Sequence, residues 1–355
     1  MQNKFKNAAA IAAVAVTMLF SPGRARATGP DPKYVPADAK WVVHVDVDHL
    51  AKSQTYDMLM REAEKEEGNV REKLAKVGEA LGTRFPEDMH GVTLIGRGFD
   101  EKSAVLVVRA KLDKDRLLGM AKSMPGYTSL MHGTTEVSSW ADAKQPTESV
   151  SGAFLADDVL VLGRTSTDVR RMLDLAAGRE KPAPADGLLA AADAGAKDAA
   201  GGSGIMAYLA ADGLAELQRM YPVSPLLAQV SSARLTLSER GDDVALRAVL
   251  NVTSLEIAKQ VRGALEGFKA LMGLAALADD GDRDAKAVAE IAQRATITSE
   301  ASTVTLDWPM PVARVRELIE QNNGGKRKAA SKPATGKSSK SVEPSASHAN
   351  ESPAQ

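Results

Sequence analysis

The residues WVVHVDVDHL, at positions 41–50, contain two histidines and two aspartates. The stretch alternates as a strand does, so that His44 and Asp46 share one face and three of the valines share the other. Imidazole nitrogen and carboxylate oxygen both bind zinc, and such a site needs a third protein ligand. His90 or His132 could supply that ligand if folding brings one of them close. His44 and Asp46 are therefore the candidate metal ligands of a metal-assisted hydrolase.

The same stretch also fits a purely structural role. A strand with apolar side chains on one face and polar side chains on the other is typical of a sheet that is covered on one side only. Asp48 then begins a helical segment, where its side chain can cap the first free amides. When the second half of the chain is aligned through Asp212, Tyr208 and Ala210 take the places of the histidine–aspartate pair. Because that copy lacks the pair, the structural interpretation is favoured, and we predict no metal, cofactor or catalytic residues.

Other motifs that could carry chemistry fit turns instead. Gly96-Arg97-Gly98 lies between two strand-like runs, whereas a dinucleotide-binding loop would open a helix. Arg240-Gly241-Asp242 also separates two alternating runs, and glycine beside aspartate is what a tight turn requires. The chain contains no cysteine, which excludes thiol catalysis and disulfide bonds. The sequence therefore offers no convergent catalytic set.

The N-terminus has the three parts of an export signal. Lys4 and Lys6 form a basic start, Ala8–Phe20 is apolar, and Ala25-Arg26-Ala27 offers small residues for cleavage. The apolar run is shorter than the roughly 20 residues that are needed to span a bilayer. We therefore expect residues 1–27 to be a signal peptide, the mature chain to have no transmembrane segment, and the protein to be periplasmic or secreted.

The rest of the chain predicts two related halves, each with elements in the order β-α-β-β-α-β and with further elements at its end. Strands joined by tight turns predict antiparallel pairing, with helices crossing one face of each sheet. We therefore predict an α+β fold of two tandem units, each a mainly antiparallel sheet of the split βαβ, ferredoxin-like type. The units are residues 28–178 and 204–323, joined by a linker at 179–203 that contains Lys181-Pro182-Ala183-Pro184 and has room for a short helix.

The longest helical pattern of the chain follows Thr253. Its apolar residues fall on one stripe at helical spacing, a pattern typical of an amphipathic helix. The stripe consists of Ile257, Val261, Ala264, Leu265, Phe268, Leu271 and Met272.

The chain resembles uncharacterised exported bacterial proteins that duplicate an α+β unit. The resemblance lies in the first strand, Trp41-Val42-Val43-His44-Val45-Asp46, in the Asp48-His49-Leu50 that follows it, and in the repeated order of elements. It covers roughly residues 35–321. The resemblance implies the duplicated fold, but it carries no established activity and no functional residues.

Charge and composition limit the partners. The formal net charge is −1 at pH 7 and aromatic residues make up 4% of the chain, so nucleic acid is not expected as a ligand. Residues 324–355 have few apolar side chains, a composition typical of a disordered tail. Six basic residues in this tail have no acidic residue among them and could contact an anionic component of the cell envelope. They are Lys326, Arg327, Lys328, Lys332, Lys337 and Lys340.

Three functions remain open at this point. An exported, non-enzymatic binding or scaffold protein agrees with a duplicated fold that lacks a catalytic set. The first alternative is a metal-assisted hydrolase that uses His44 and Asp46. The second is a carrier of a small ligand held between the two sheets. Of the three, the sequence favours the exported, non-enzymatic binding or scaffold protein.

Overall fold

The computed structural model describes residues 29–143, 145–184, 187–189, 205–216, 227–278 and 283–319. The predicted signal peptide and the predicted tail lie outside these residues, and so does most of the predicted linker. Within the described part of the chain, no helix is long and apolar enough to cross a membrane.

The strands form one continuous sheet. They are β1 (Trp41–Asp46), β2 (Met89–Gly96), β3 (Ala104–Ala110), β4 (Thr128–His132), β5 (Thr135–Ala141), β6 (Ser149–Ala156), β7 (Val159–Gly163), β8 (Ile205–Asp212), β9 (Val230–Arg240), β10 (Asp243–Val252), β11 (Thr296–Glu300) and β12 (Thr303–Pro311). Their order across the 12-stranded sheet is β11-β12-β10-β9-β8-β1-β2-β3-β7-β6-β5-β4. Every described strand pairing is antiparallel.

This topology confirms an α+β fold built on a large antiparallel sheet, but it does not confirm two tandem ferredoxin-like units. Strands β1, β2 and β3 are consecutive neighbours, as are β8, β9 and β10. The split βαβ arrangement would instead place a third strand between two parallel ones. The two halves also share a single sheet, because β1 pairs with β8. The sequence pattern predicts most of the strands, but not β4 and β5. The pairing of distant strands depends on contacts that no local pattern records.

Turn chemistry was correctly predicted at the hairpin between β9 and β10. Gly241 and Asp242 separate the two strands, and Gly241 has a φ of +61°. Glycine adopts this left-handed conformation without the steric cost that a side chain imposes. Arg240-Gly241-Asp242 is therefore a structural turn.

Eight helices of more than three residues complete the described fold. They are α1 (Val47–Leu50), α2 (Gln54–Glu67), α3 (Val70–Leu81), α4 (Lys114–Ser123), α5 (Ser166–Ala176), α6 (Leu255–Ala278), α7 (Arg283–Gln293) and α8 at 312–319. Short 3-10 helices are described at Pro32–Tyr34, Glu101–Ser103 and Leu227–Gln229.

Both faces of the sheet are buried at β1. Val42 packs on one face in a cluster that includes Val169 of α5. Val45 lies on the opposite face, in a second cluster with Met58 of α2 and Val312 of α8. The prediction that helices cover one face only is therefore wrong at the centre of the sheet. The polar face of β1 is not exposed to water.

A close contact between Trp41 and Gly96 fixes the pairing of β1 with β2. The two residues are partners in the strand register. The indole Nε1 donates a hydrogen bond to the Gly98 carbonyl oxygen at 2.7 Å. A Cβ atom at Gly96 would lie 2.1 Å from Cε2 of the indole ring. Only a residue without a side chain fits beneath the ring.

We predict that Gly96→Ala destabilises the protein by about 1–3 kcal/mol, because the added methyl group must displace the Trp41 ring or the strand. The free energy of unfolding from denaturant titration measures this effect. Gly119→Ala, in α4, is the matched control, since nothing lies within 4 Å of a Cβ atom at that position. The control should be neutral or stabilising because alanine favours a helix more than glycine does. Equal effects of the two substitutions would contradict the steric explanation.

Candidate functional site

His44 lies in the interior of the protein and is 6% exposed. Its neighbours in the strand pairings are Thr93 of β2 and Tyr208 of β8. The imidazole Nδ1 lies 2.8 Å from the Thr93 hydroxyl oxygen, within hydrogen-bond distance. A buried polar group needs such a partner because it has lost its contact with water. The geometry therefore accounts for His44 as a satisfied residue of the core.

Asp46 caps the short helix α1, a role that the sequence assigned to Asp48. Its Oδ1 accepts a hydrogen bond from the backbone amide of His49 at 2.9 Å, and its Oδ2 lies 3.1 Å from His49 Nδ1. The cap falls two residues earlier than predicted because β1 passes directly into α1 without a loop. The hydrogen bond to Asp46 raises the pKa of His49 above its usual value, and partial burial of the ring opposes this rise.

Asp48 pairs with His90 at the start of β2 instead of capping the helix. The imidazole Nδ1 of His90 lies 3.4 Å and 3.2 Å from the two carboxylate oxygens. Burial raises the pKa of Asp48, and the neighbouring His90 acts in the opposite direction. His90, considered from sequence as a third metal ligand, thus contacts a different carboxylate from that of Asp46.

His132 lies far from the other candidate ligands. It belongs to β4, the edge strand, which is six strand spacings from β1 in the sheet. At about 4.8 Å per spacing, the distance measured along the sheet is about 29 Å. Its Nε2 lies 2.8 Å from Oδ1 of Asp174, which also accepts a hydrogen bond from Arg179. The hydrogen bond from His132 contributes most to holding the pKa of Asp174 below its usual value.

The candidate residues therefore do not converge on one point. In the part of the chain that the structure describes, no three His, Cys, Asp or Glu side chains form a group that could hold a metal ion. Two aspartate–histidine pairs lie where β1 meets α1, and a third lies at the edge of the sheet. Each pair joins a strand to a neighbouring element.

One contact has the composition of a nucleophile and its base, namely the Thr93 hydroxyl beside His44. Such a pair supports covalent catalysis only if a substrate can reach the hydroxyl oxygen. Thr93 is 8% exposed and His44 is 6% exposed. Burial therefore favours a structural hydrogen bond over a catalytic one.

The sequence missed an exposed apolar surface on α6. Val261, a member of the predicted stripe, packs in one cluster with Ala258 and with Val304 of β12. Phe268 and Leu271, assigned to the same stripe, are 60% and 65% exposed. The apolar residues of α6 cover more of the helix circumference than the side that packs on the sheet. Their spread around the helix could have been recognised from the sequence. We call its exposed part the apolar patch, which consists of Ala264, Gly267, Phe268, Ala270, Leu271 and Leu274.

Comparison with known proteins yields a likeness in fold only. No family model and no curated protein matches the chain. The structure of TP0453 in crystal form III has 12% sequence identity to this chain and a TM-score of 0.45. The match covers 83% of this chain and 100% of the TP0453 chain. Form I is 12% identical, with a TM-score of 0.42 over 83% and 98%, and form IV is 11% identical, with a TM-score of 0.44 over 82% and 97%. At this identity the likeness concerns the course of the chain and carries no information on ligands.

We predict that Asp46→Asn lowers the pKa of His49, because the variant keeps a cap acceptor but loses the negative charge beside the imidazole. A folded-state pKa raised above the ordinary histidine value of 6.5 contributes stability that is fully present below that pH and is lost as the pH rises through the folded-state pKa. The difference in unfolding free energy between wild type and variant should therefore be about 1 kcal/mol larger at low pH than at high pH.

Histidine NMR titration measures the pKa directly, and denaturant unfolding at several pH values measures the stability. Asp48→Asn is the matched control, since its carboxylate pairs with His90. The control should change the pKa of His49 much less. An unchanged His49 pKa in Asp46→Asn would contradict the assigned hydrogen bond.

Proposed function

We propose that this protein is an exported, non-enzymatic binding or scaffold protein of the bacterial cell envelope, located in the periplasm or secreted. The main support is that the reactive side chains near the centre of the sheet are paired within the protein and are buried or partly buried. An enzyme needs accessible reactive groups that converge on a substrate. A scaffold needs a stable sheet and leaves binding to its periphery.

The hydrolase alternative has weaker support. Zinc ligands must lie about 2.0–2.2 Å from a single ion. His44 contacts Thr93 through Nδ1, and both oxygens of Asp46 contact His49. To bind zinc together in this buried setting, Asp46 would have to weaken its contacts with His49, and His44 would have to bind through Nε2 while Nδ1 stays beside Thr93. A third described ligand would also have to move toward them.

The carrier alternative loses its original site. It placed a ligand between two sheets, and the two halves of this chain share one sheet through β1 and β8. A bound small molecule would have to occupy another surface.

A duplicated origin of the two halves is part of the proposal. When Asp48 is aligned with Asp212, His44 aligns with Tyr208. The same two residues face each other where β1 pairs with β8. A two-fold axis passing between them would relate each half to the other, as in a symmetric dimer whose interface is a strand pair. This register supports duplication of one ancestral unit.

We further propose that the tail, residues 324–355, attaches the scaffold to an anionic component of the envelope. Its basic residues are Lys326, Arg327, Lys328, Lys332, Lys337 and Lys340. Basic residues near a charged membrane surface contribute about 1 kcal/mol each. Such attachment weakens with salt, because the Debye length falls from about 10 Å at 0.1 M to about 3 Å at 1 M.

We predict that the purified protein shows no hydrolase activity that depends on His44, with or without added zinc. A panel of hydrolase substrates, assayed with the wild type and with His44→Gln, measures this. Native mass spectrometry of protein isolated from its own cells should show no metal retained after dialysis, and it also reports any small bound ligand. Retained zinc together with turnover that the substitution removes would establish the hydrolase instead.

We predict that deleting residues 324–355 leaves the melting temperature unchanged but reduces sedimentation with purified cell envelope at low salt. A full-length variant with the six basic residues changed to glutamine is the matched control for charge. It should lose binding to the same extent, whereas neither change should matter at about 1 M salt. Undiminished envelope binding by both variants would refute the attachment, and a lower melting temperature after deletion would show that the tail belongs to the folded structure.

A further inference from the structure

The apolar patch on α6 is a surface that the proposed scaffold does not explain. Phe268, Leu271 and Leu274 are 60%, 65% and 61% exposed. They follow one another at helical spacing, so they form a continuous ridge on one side of the helix. Glycine and alanine fill the places between them. Exposed apolar side chains that are contiguous, rather than scattered, need an explanation.

The charge pattern along α6 changes where the patch begins. In the first half of the helix, Lys259 pairs with Glu256, and Arg262 pairs with Glu266 at 2.7 Å. From residue 267 to residue 278 the only charged residue is Lys269. Its Nζ donates a hydrogen bond to the Ala295 carbonyl oxygen at 2.6 Å, at the end of α7. The second half of α6 therefore exposes an apolar side without a charge of its own.

The size of the patch argues against a stable protein partner. The segment from residue 264 to residue 274 is about 16 Å long and about 10 Å wide as a helix face. That area is far below the roughly 800 Å² per partner that a stable protein interface buries. A bilayer makes no such demand, because an amphipathic helix can lie in its surface with only the apolar side immersed.

The end of the described chain supplies a second argument for a lipid surface. Arg314 of α8 contacts Glu290 of α7 at 3.0 Å. Gln293 of α7 in turn donates a hydrogen bond to the Lys269 carbonyl oxygen of α6. The first basic residue of the tail, Lys326, follows seven residues after Ile319, the last described residue. Those residues span at most about 25 Å, which is therefore the greatest distance of the basic run from the end of α8.

We propose that the apolar patch inserts into the surface of an anionic lipid bilayer, with the basic tail as the second attachment. Stable anchoring commonly needs two such signals, one apolar and one electrostatic. This inference rests on the proposed envelope scaffold and names its partner as lipid. The two attachments differ in their response to salt, since immersion of Phe268, Leu271 and Leu274 is not screened.

Flotation with vesicles tests the proposal on the full chain, with an identical N-terminus verified by mass spectrometry for each variant. The vesicles are either pure phosphatidylcholine or an equimolar mixture with phosphatidylglycerol. The patch variant combines Phe268→Gln, Leu271→Gln and Leu274→Gln. The matched control replaces three exposed apolar residues elsewhere, Met120, Met131 and Leu255, with glutamine.

In about 1 M salt, where the tail is screened, the patch variant should partition onto mixed vesicles about tenfold less than wild type. The control variant should stay within about twofold, and both should melt at nearly the wild-type temperature. Deleting the tail should lower binding only at low salt. The tail proposal and the patch proposal can therefore fail separately.

Position in the bilayer can be measured because the chain has no cysteine. An environment-sensitive fluorophore on Leu271→Cys should shift to the blue on mixed vesicles and be quenched from within the lipid. The same fluorophore on Met131→Cys, on β4, should do neither. Equal vesicle binding by the patch variant and wild type at high salt would overturn the proposal. A second result would also overturn it: the wild type self-associates in solution, the patch variant does not, and neither protein binds vesicles.

Discussion

The pairing of β1 with β8 is the interaction on which the rest of the structure depends. It joins the strands of both halves into one sheet and places β1 at its interior, between β2 and β8. A strand in this position has no free edge, and here both of its faces are buried as well. Polar side chains on β1 therefore need partners within the protein. His44 with Thr93 and Asp46 with His49 follow from that requirement.

How much was predictable depends on the range of the contacts involved. Alternation and turn chemistry correctly predicted most of the antiparallel strands, though not β4 and β5, and the Gly241 turn, because both are properties of neighbouring residues. The single sheet was missed, since β1 and β8 lie far apart in sequence. The same error affected the predicted site, because β1 was expected to expose its polar face to water and is instead covered on both faces. The shift of the cap from Asp48 to Asp46 has a local cause, as either aspartate could cap a helix that begins nearby.

The apolar patch shows a different limit of sequence reasoning. Helical spacing correctly identified α6 and its buried residue Val261. It also placed Phe268 and Leu271 on the same stripe, because spacing records which residues share a side of the helix but not how far the neighbouring sheet extends. The width of the apolar arc was the available signal, since a helix that covers one sheet needs an arc of little more than about 100°.

These two observations agree with the proposed binding role at the periphery of the molecule. At the centre, the aspartate and histidine side chains stabilise the junction of β1, α1 and β2, and removing one partner would leave another buried polar group without compensation. Residues with that role are poorly suited to bind a changing substrate. Phe268 and Leu271 are under no such constraint, because they contribute little to the core that α6 covers. Their apolar character instead costs free energy in water, a cost that is relieved only when another apolar phase covers them. The fold therefore separates a centre that maintains the structure from a surface that is available for binding.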